Sequence, residues 1–170
     1  MRPTTRHPLP RRRATAAGRH EGFSLIELLI VVAIIGIISA IAIPNLLASR
    51  RAANEAAAVS AIRTITTAEE AYHATYGGGA AFTDLDGLAD KQLIDLTLST
   101  ATTVGNARSG YIYSVVASTV GPTFCAGAAP ATANTGSRNF SSDTPGLIYS
   151  HPLAVAAPPT TTAGGVPFNN

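Results

Sequence analysis

Residues 19–44 read RHEGFSLIELLIVVAIIGIISAIAIP, a long apolar run that holds one acid, Glu27. From Phe23 to Ile43 every residue is apolar or small except Ser24, Glu27 and Ser39. Those 21 residues form a helix of roughly 31 Å, about the hydrocarbon thickness of a bilayer. A secretory signal has a shorter apolar region ending at a small-residue cleavage site, whereas this run continues to Pro44. An acid in hydrocarbon costs a few kcal/mol at the centre and less near an edge. Glu27 lies four residues past Phe23, about 6 Å along a helix axis, so it sits near one face of the span.

The flanking charge sets an orientation. Met1 to Gly22 carries six arginines and one acid, a net of +5; Phe23 onward carries six bases and nine acids, a net of −3. The positive-inside rule places the leader, 1–22, in the cytoplasm and the bulk of the chain outside. The leader has proline, arginine and no apolar run, so it is expected to be disordered. The sequence pI of 9.0 comes from this leader, and nucleic-acid binding by the remainder has no electrostatic support. A length of 170 residues fits one modest domain, and 46% hydrophobic against 13% charged residues fits a membrane-associated or secreted protein. The single cysteine, Cys125, excludes a disulfide within the chain and any zinc motif built on a cysteine pair. It is expected to be a small buried apolar residue.

Beyond Pro44, NLLASRRAANEAAAVSAIRTITTAEEAYHATY is alanine-rich and free of glycine and proline, which predicts helix over 44–76. Ala58, Ala61, Ile62, Ile65, Ala68, Tyr72 and Tyr76 fall on one stripe of it; Arg63, Thr66, Thr67 and Glu70 fall opposite, and Glu69 lies close to the apolar face. The triple glycine Gly77-Gly78-Gly79 ends the helix. One nearly continuous helix is therefore expected from about Phe23 to Tyr76. Its second half has a stripe that needs cover, and residues 77–151 are expected to supply it as a globular head. FTDLDGLADKQLID predicts one or two short helical turns, capped by Thr83 or Asp84. SGYIYSVVAST, GPTFCAGAA, SRNFSSD and GLIYSH predict four strands. The expected fold class is α+β, a long N-terminal helix packed on a small antiparallel sheet of about four strands. The Pro/Thr-rich tail, 152–170, is expected to be flexible.

GFSLIELLIVVAIIGIISAIAIP closely resembles the N-terminus of type IV pilins and of type II secretion pseudopilins, and the following helix resembles theirs. The resemblance implies a prepilin. A membrane prepilin peptidase cuts after Gly22 and methylates the new amine on Phe23. Glu27 then takes part in assembly, and Gly36 and Pro44 loosen the helix. From the residues alone, Pro44 and Gly36 are read equally well as a plain kink at the end of a membrane span. The implied partners are the peptidase, membrane lipid before assembly, other pilin subunits in a homopolymer, and an inner-membrane assembly platform with its motor ATPase. The implied localisation is a single-pass inner-membrane protein, then an extracellular pilus, or a periplasmic pseudopilus in the secretion alternative. An alternative of another class is a monomeric membrane-anchored extracytoplasmic binding protein. Many pilins close their C-terminal region with a disulfide, which one cysteine cannot form.

No catalytic constellation stands out, so no enzyme activity, cofactor or metal is expected. His73 and His151 lack companion ligands and are expected on the surface. Asp84, Asp86 and Asp90 are spaced like part of a calcium loop but lack its closing glutamate, and helix capping is the better reading. Asn139-Phe140-Ser141 matches the N-glycosylation pattern. The tyrosines at 72, 76, 111, 113 and 149 are expected to serve core packing.

Overall fold

The computed structural model describes residues 22–118, 121–144, 146–152 and 157–168. The leader up to residue 21, and 153–156 and 169–170 of the tail, lie outside them. The chain divides into two units, Met1–Ala40 and Ile41–Asn170, and helix α1 (Leu25–Thr75) contributes to each.

In the first unit, α1 starts because Ser24 and Glu27 cap it. The Glu27 N–H donates to Ser24 Oγ at 3.3 Å, and the Ser24 N–H donates back to Glu27 Oε2 at 2.8 Å. This reciprocal capping box satisfies two of the donors that a helix N-terminus leaves open. The apolar residues that follow are exposed all round, from Leu25 to Ile38. The helix is long and apolar enough to cross a membrane, and its most apolar window has no buried residue.

In the second unit, α1 lays one stripe on an antiparallel sheet. Ala58, Val59, Ile62, Ile65 and Ala68 are buried there. The sheet is a meander in chain order: β1 (Tyr111–Ala117), β2 (Phe124–Pro130), β3 (Arg138–Asp143), β4 (Ile148–Pro152) and β5 (Val166–Pro167). Tyr113 faces Ala128 across β1 and β2, and Ala128 faces Phe140 on β3. Short helices α2 (Leu85–Asp90) and α3 (Leu96–Ser99) seal the helix–sheet layer with Leu85, Leu88 and Leu98. Asp84 caps α2 through the Gly87 N–H, and Asp95 caps α3 through the Leu98 N–H, each at 2.8 Å. At the end of α1, Gly78 and Gly79 take φ values of 59° and 69°. Glycine reaches that left-handed region without a steric penalty.

The fold is α+β as expected, with three differences. No strand is expected after His151, yet Val166–Pro167 pairs with Tyr149 and Ser150 as a fifth strand. Thr66 is expected opposite the apolar stripe, yet it is buried, with its hydroxyl 3.3 Å from Ser142 Oγ. The sheet wraps past the apolar stripe far enough to reach it, and the hydroxyl pair makes that burial tolerable. Tyr76 is expected on the stripe but is 55% exposed, because α1 ends at Thr75 and the chain turns away into the glycines.

The tail also explains β2, whose seven residues are all buried. Phe124, Ala126 and Ala128 belong to the helix-side core. On the opposite face, a Cβ added to Gly127 would collide with the Pro159 backbone. Residues around Pro159 therefore cover the back of the sheet. The small residues of β2 suit a strand buried on both faces.

Candidate functional site

The resemblance points first to the N-terminal end of α1. Gly22 and Phe23 precede the helix, and Phe23 is 91% exposed. A peptidase needs such an uncoiled, accessible bond, and glycine lets an enzyme approach the backbone closely. Ser24 and Glu27 stand next, joined by the capping box. A carboxylate offers roughly four acceptor positions. The Ser24 N–H occupies one of them on Oε2. The group is thus held at the helix end with capacity for a cationic donor.

Gly36 lies inside α1, and a Cβ added there would meet nothing within 4 Å. Packing among the described residues does not require glycine at that position. Pro44 also lies inside α1 and has no N–H to donate to a preceding carbonyl. The Asn45 side-chain amide donates to the Ile41 carbonyl at 3.1 Å and supplements the local bonding.

Two acids are buried on the head side of α1. Glu69 is fully buried and accepts from the Thr83 N–H at 3.1 Å. Burial pushes its carboxyl up to about 7; the Thr83 bond works against that shift and nearby Asp84 adds to it. Glu55 is buried in a different way. It accepts from Ser137 N at 2.9 Å and Ser137 Oγ at 2.6 Å, and from Arg138 Nε and Nη2 at 3.1 and 2.7 Å. Burial works to raise its pKa, but the Ser137 and Arg138 bonds outweigh it and hold the group below its ordinary value. Arg138 in turn lies over the rings of Phe140 and Phe168, at 5.6 and 5.3 Å. The Glu55 cluster was not anticipated from the sequence. Its signal was available: Glu55 continues the buried row of Ala58, Val59 and Ile62 one turn back.

The remaining expected residues fall to structural roles. His73 is half-buried and stacks on Phe82 at 4.6 Å; His151 is half-buried with Nε2 2.7 Å from Ser141 Oγ. Each is only partly exposed, because each ring fills space beside an aromatic residue or a strand. Asp84 is the α2 cap, while Asp86 and Asp90 are exposed. Among the described residues, no group of three or more His, Cys, Asp or Glu side chains is placed to hold a metal. Asn139 is 5% exposed within β3, so its side chain is not presented for glycosylation. Tyr111 and Tyr113 are core residues, and the Tyr111 hydroxyl donates to the Arg138 carbonyl at 2.9 Å. Cys125 is buried, and burial pushes its thiol up to about 11, with Asp143 adding to the shift.

Comparison with known proteins agrees with the N-terminal geometry. The prokaryotic N-terminal methylation motif matches residues 18–43. The chain is 48% identical over 52 residues to the type IV wide pilus major component PilA4 of Thermus thermophilus. That stretch is 31% of this chain and 40% of the relative. It is 44% identical over 54 residues to the type IV major pilin protein PilA of Myxococcus xanthus, covering 32% of this chain and 24% of that one. The matches thus span less than half of each relative. No solved structure matches the chain. The methylation motif and these two relatives make the N-terminal segment of this chain similar to that of type IV pilins.

Proposed function

We propose that this chain is a prepilin, a structural subunit that is cleaved after Gly22, methylated on Phe23 and polymerised through α1 into a type IV pilus. The observation that carries this reading is the capped carboxylate of Glu27 at the head of an exposed apolar helix. Cleavage converts the Phe23 nitrogen into a cationic amine. Glu27 of a neighbouring subunit accepts that amine while its own Ser24 N–H keeps it oriented. An ion pair within an apolar bundle fixes register, while the apolar side chains supply affinity.

Before assembly the apolar segment anchors the subunit in the inner membrane with its leader in the cytoplasm, in keeping with the arginines before it. Prepilin peptidase, membrane lipid, an assembly platform and its motor ATPase act on this form. Gly36 and Pro44 let the helix loosen as lipid is exchanged for neighbouring subunits. The filament is extracellular. Both relatives are named as major pilus components, which favours a pilus over a secretion pseudopilus. The role is structural and not enzymatic.

The test combines mass spectrometry of the mature protein with electron microscopy of sheared surface material. The expected result is a start at Phe23 bearing an added methyl group, in protein recovered from filaments. A chain that still starts at Met1 in cells with an active prepilin peptidase would overturn the reading, as would properly processed protein that never leaves the membrane.

A further inference from the structure

Tyr113 is 1% exposed, yet its hydroxyl has no hydrogen-bond partner among the described residues. A buried hydroxyl left unpaired is costly, and native proteins rarely keep one. The ring belongs to the helix-side core, and Tyr113 also lines a cavity of about 220 Å³ between α1, α3 and the start of β1. Arg108 lines the same cavity, near enough for its charge to act on the hydroxyl. Burial pushes that hydroxyl up to about 12 against the pull of Arg108, so at neutral pH it is protonated and able to donate. Ser60, Thr64, Ser109 and Asp95 supply the rest of the polar wall. Asp95 has little acceptor capacity left. Its Oδ1 accepts from Thr97 Oγ1 at 2.6 Å and from the Leu98 N–H at 2.8 Å, and its Oδ2 accepts from Arg108 Nη1 at 2.7 Å. Arg108 uses only Nη1 there, and a guanidinium has five N–H donors. The unused groups are therefore mostly donors.

We propose that this cavity binds a small monovalent oxyanion, a phosphate or carboxylate group, with the Tyr113 hydroxyl and the Arg108 guanidinium as its direct donors. The charge around it fits. Ser60 and Thr64 are shared with a groove of about 450 Å³ that carries Arg63. Arg63 is exposed, and its neighbours at three and four residues along α1, Val59, Ser60, Thr66 and Thr67, bear no acid. The salt bridges among the described residues join Arg108 to Asp95 and Arg138 to Glu55. Arg63 and Arg108 thus stand against the single acid Asp95, which favours one negative charge and disfavours two. The donors are also held in place. The Arg108 N–H donates to the Tyr111 carbonyl at 2.9 Å and the Tyr111 N–H returns a bond of 3.0 Å, across Ser109 and Gly110 at φ values of 50° and 73°. At about 30 Å³ per water the cavity has room for roughly seven, so an oxyanion enters by displacing water and without moving backbone. The cavity lies wholly in the second unit, and its ligand does not depend on polymerisation.

The experiment titrates the full chain, in a non-ionic detergent, with sodium phosphate under mildly acidic conditions where the monoanion predominates. A second titration uses sodium acetate, and sodium chloride at equal ionic strength is the blank for both. A ligand that binds only the folded state raises the thermal midpoint with its concentration, and calorimetry gives the affinity directly. The expected result is a saturable rise beyond that of chloride. Tyr113→Phe is expected to weaken binding about tenfold, the size of a lost hydrogen bond to a charged group. Its midpoint without anion is expected not to fall, since the hydroxyl has no partner to lose. Arg108→Gln is expected to weaken binding about tenfold or more, its ion pair with Asp95 being too exposed to decide folding. Arg63→Gln is expected to cost about twofold to threefold, and less at high salt. A response to phosphate alone assigns the site to a phosphate group, and a response to acetate alone to a carboxylate. No rise beyond chloride with either anion, or unchanged affinity in Tyr113→Phe or in Arg108→Gln, would overturn the proposal.

Discussion

The Thr83 backbone N–H donates to the Glu69 carboxylate at 3.1 Å and ties the chain beyond the glycine turn to helix α1. Glu69 is fully buried, and its other oxygen has no partner among the described residues. Its carboxyl is raised from 4.5 to about 7. The folded state therefore holds this proton more tightly than the unfolded chain. The protonated group costs least below about pH 4.5, and its cost grows as pH rises to about 7, then stays constant. Full conversion of that difference gives on the order of 3 kcal/mol. Glu69→Gln keeps an acceptor for Thr83 and carries no charge. It is expected to be more stable than the unaltered chain at pH 8 by about 1–3 kcal/mol, with little difference at pH 4.5. Urea unfolding of the detergent-solubilised protein at the two pH values checks this. Equal stabilities at pH 8 would mean that the buried carboxylate is not costly.

Glu55 predicts the opposite slope. Its pKa is lowered, so its contribution is present above the unfolded value of 4.5 and is lost as pH falls through the folded one. Arg138→Leu removes two of its four hydrogen bonds and leaves Ser137 as its donor. Arg138 is 43% exposed on its side chain, which moderates the loss. A destabilisation of about 1–3 kcal/mol at pH 7 is expected, shrinking as pH falls through the lowered value and Glu55 protonates in the folded state too. Glu55→Gln in the Arg138→Leu background is expected to recover part of it. No recovery would show that Arg138 acts through its contacts with Phe140 and Phe168 alone.

These two acids also show what a sequence discloses and what it does not. Helix α1 was legible because its signals are local: an apolar run of bilayer length, a 3.6-residue stripe from Ala58 to Tyr72, and a glycine stop. Strand β1 was legible from its β-branched and aromatic residues, and β2, β3 and β4 from the Gly, Pro, Asn and Asp clusters that separate them. Glu69 was legible as an oddity, since its spacing put an acid near the stripe, but its Thr83 partner was not. Arg138 stands 83 positions from Glu55, and Ser142 stands 76 from Thr66. No periodicity in a single sequence encodes such pairs. A two-residue strand such as β5 has no period at all, and only its pairing with β4 defines it. At the N-terminal site, Gly22, Phe23 and Glu27 were singled out by resemblance and not by packing. The capping box stands in the sequence as Ser24-Leu25-Ile26-Glu27, but a charge entering lipid is the more conspicuous property of that acid and masks its local role.

The capping box separates two roles of Glu27. Ser24→Ala removes one cap and is expected to cost about 1 kcal/mol of local helix stability while leaving the carboxylate in place. Its processing is expected to be normal and its filament yield modestly reduced. Glu27→Val removes both the cap partner and the proposed acceptor for a neighbour's amine. Insertion and cleavage are expected to survive, since the apolar span is retained, but assembly is expected to fail, leaving a buried amine without a counter-charge. Mass spectrometry and filament yield on the two variants distinguish the roles. Equal, severe assembly defects would assign the function of Glu27 to capping alone.

The tail's grip on the sheet is open to a chemical test through Cys125. This thiol lies in β2, 8% exposed, and shares a cavity of about 650 Å³ with Thr160, Thr161 and Thr162. Burial raises its pKa from 9.0 to about 11, so little thiolate is present at pH 8. Thiolate is the nucleophile, and a rise of that size leaves roughly a hundredfold less of it. Slow alkylation of the native chain is expected. Gly127 lies on the same strand face as Cys125, two residues along, and its Cα is covered by Pro159. A methyl group there would collide with the Pro159 carbonyl oxygen, so backbone must move. Gly127→Ala is therefore expected to lift residues 158–162 from the back of the sheet while the helix-side core, built from Phe124, Ala126 and Ala128, stays packed. Alkylation of Cys125 should accelerate by about tenfold or more as desolvation is relieved, with far-ultraviolet circular dichroism unchanged. Cys125→Ser serves as the labelling blank and is expected to lose only about 1 kcal/mol, a small thiol having been exchanged for a hydroxyl beside an open cavity. If Gly127→Ala labels no faster than the unaltered chain, the tail does not shield this face, and the burial of β2 on both sides needs another cause.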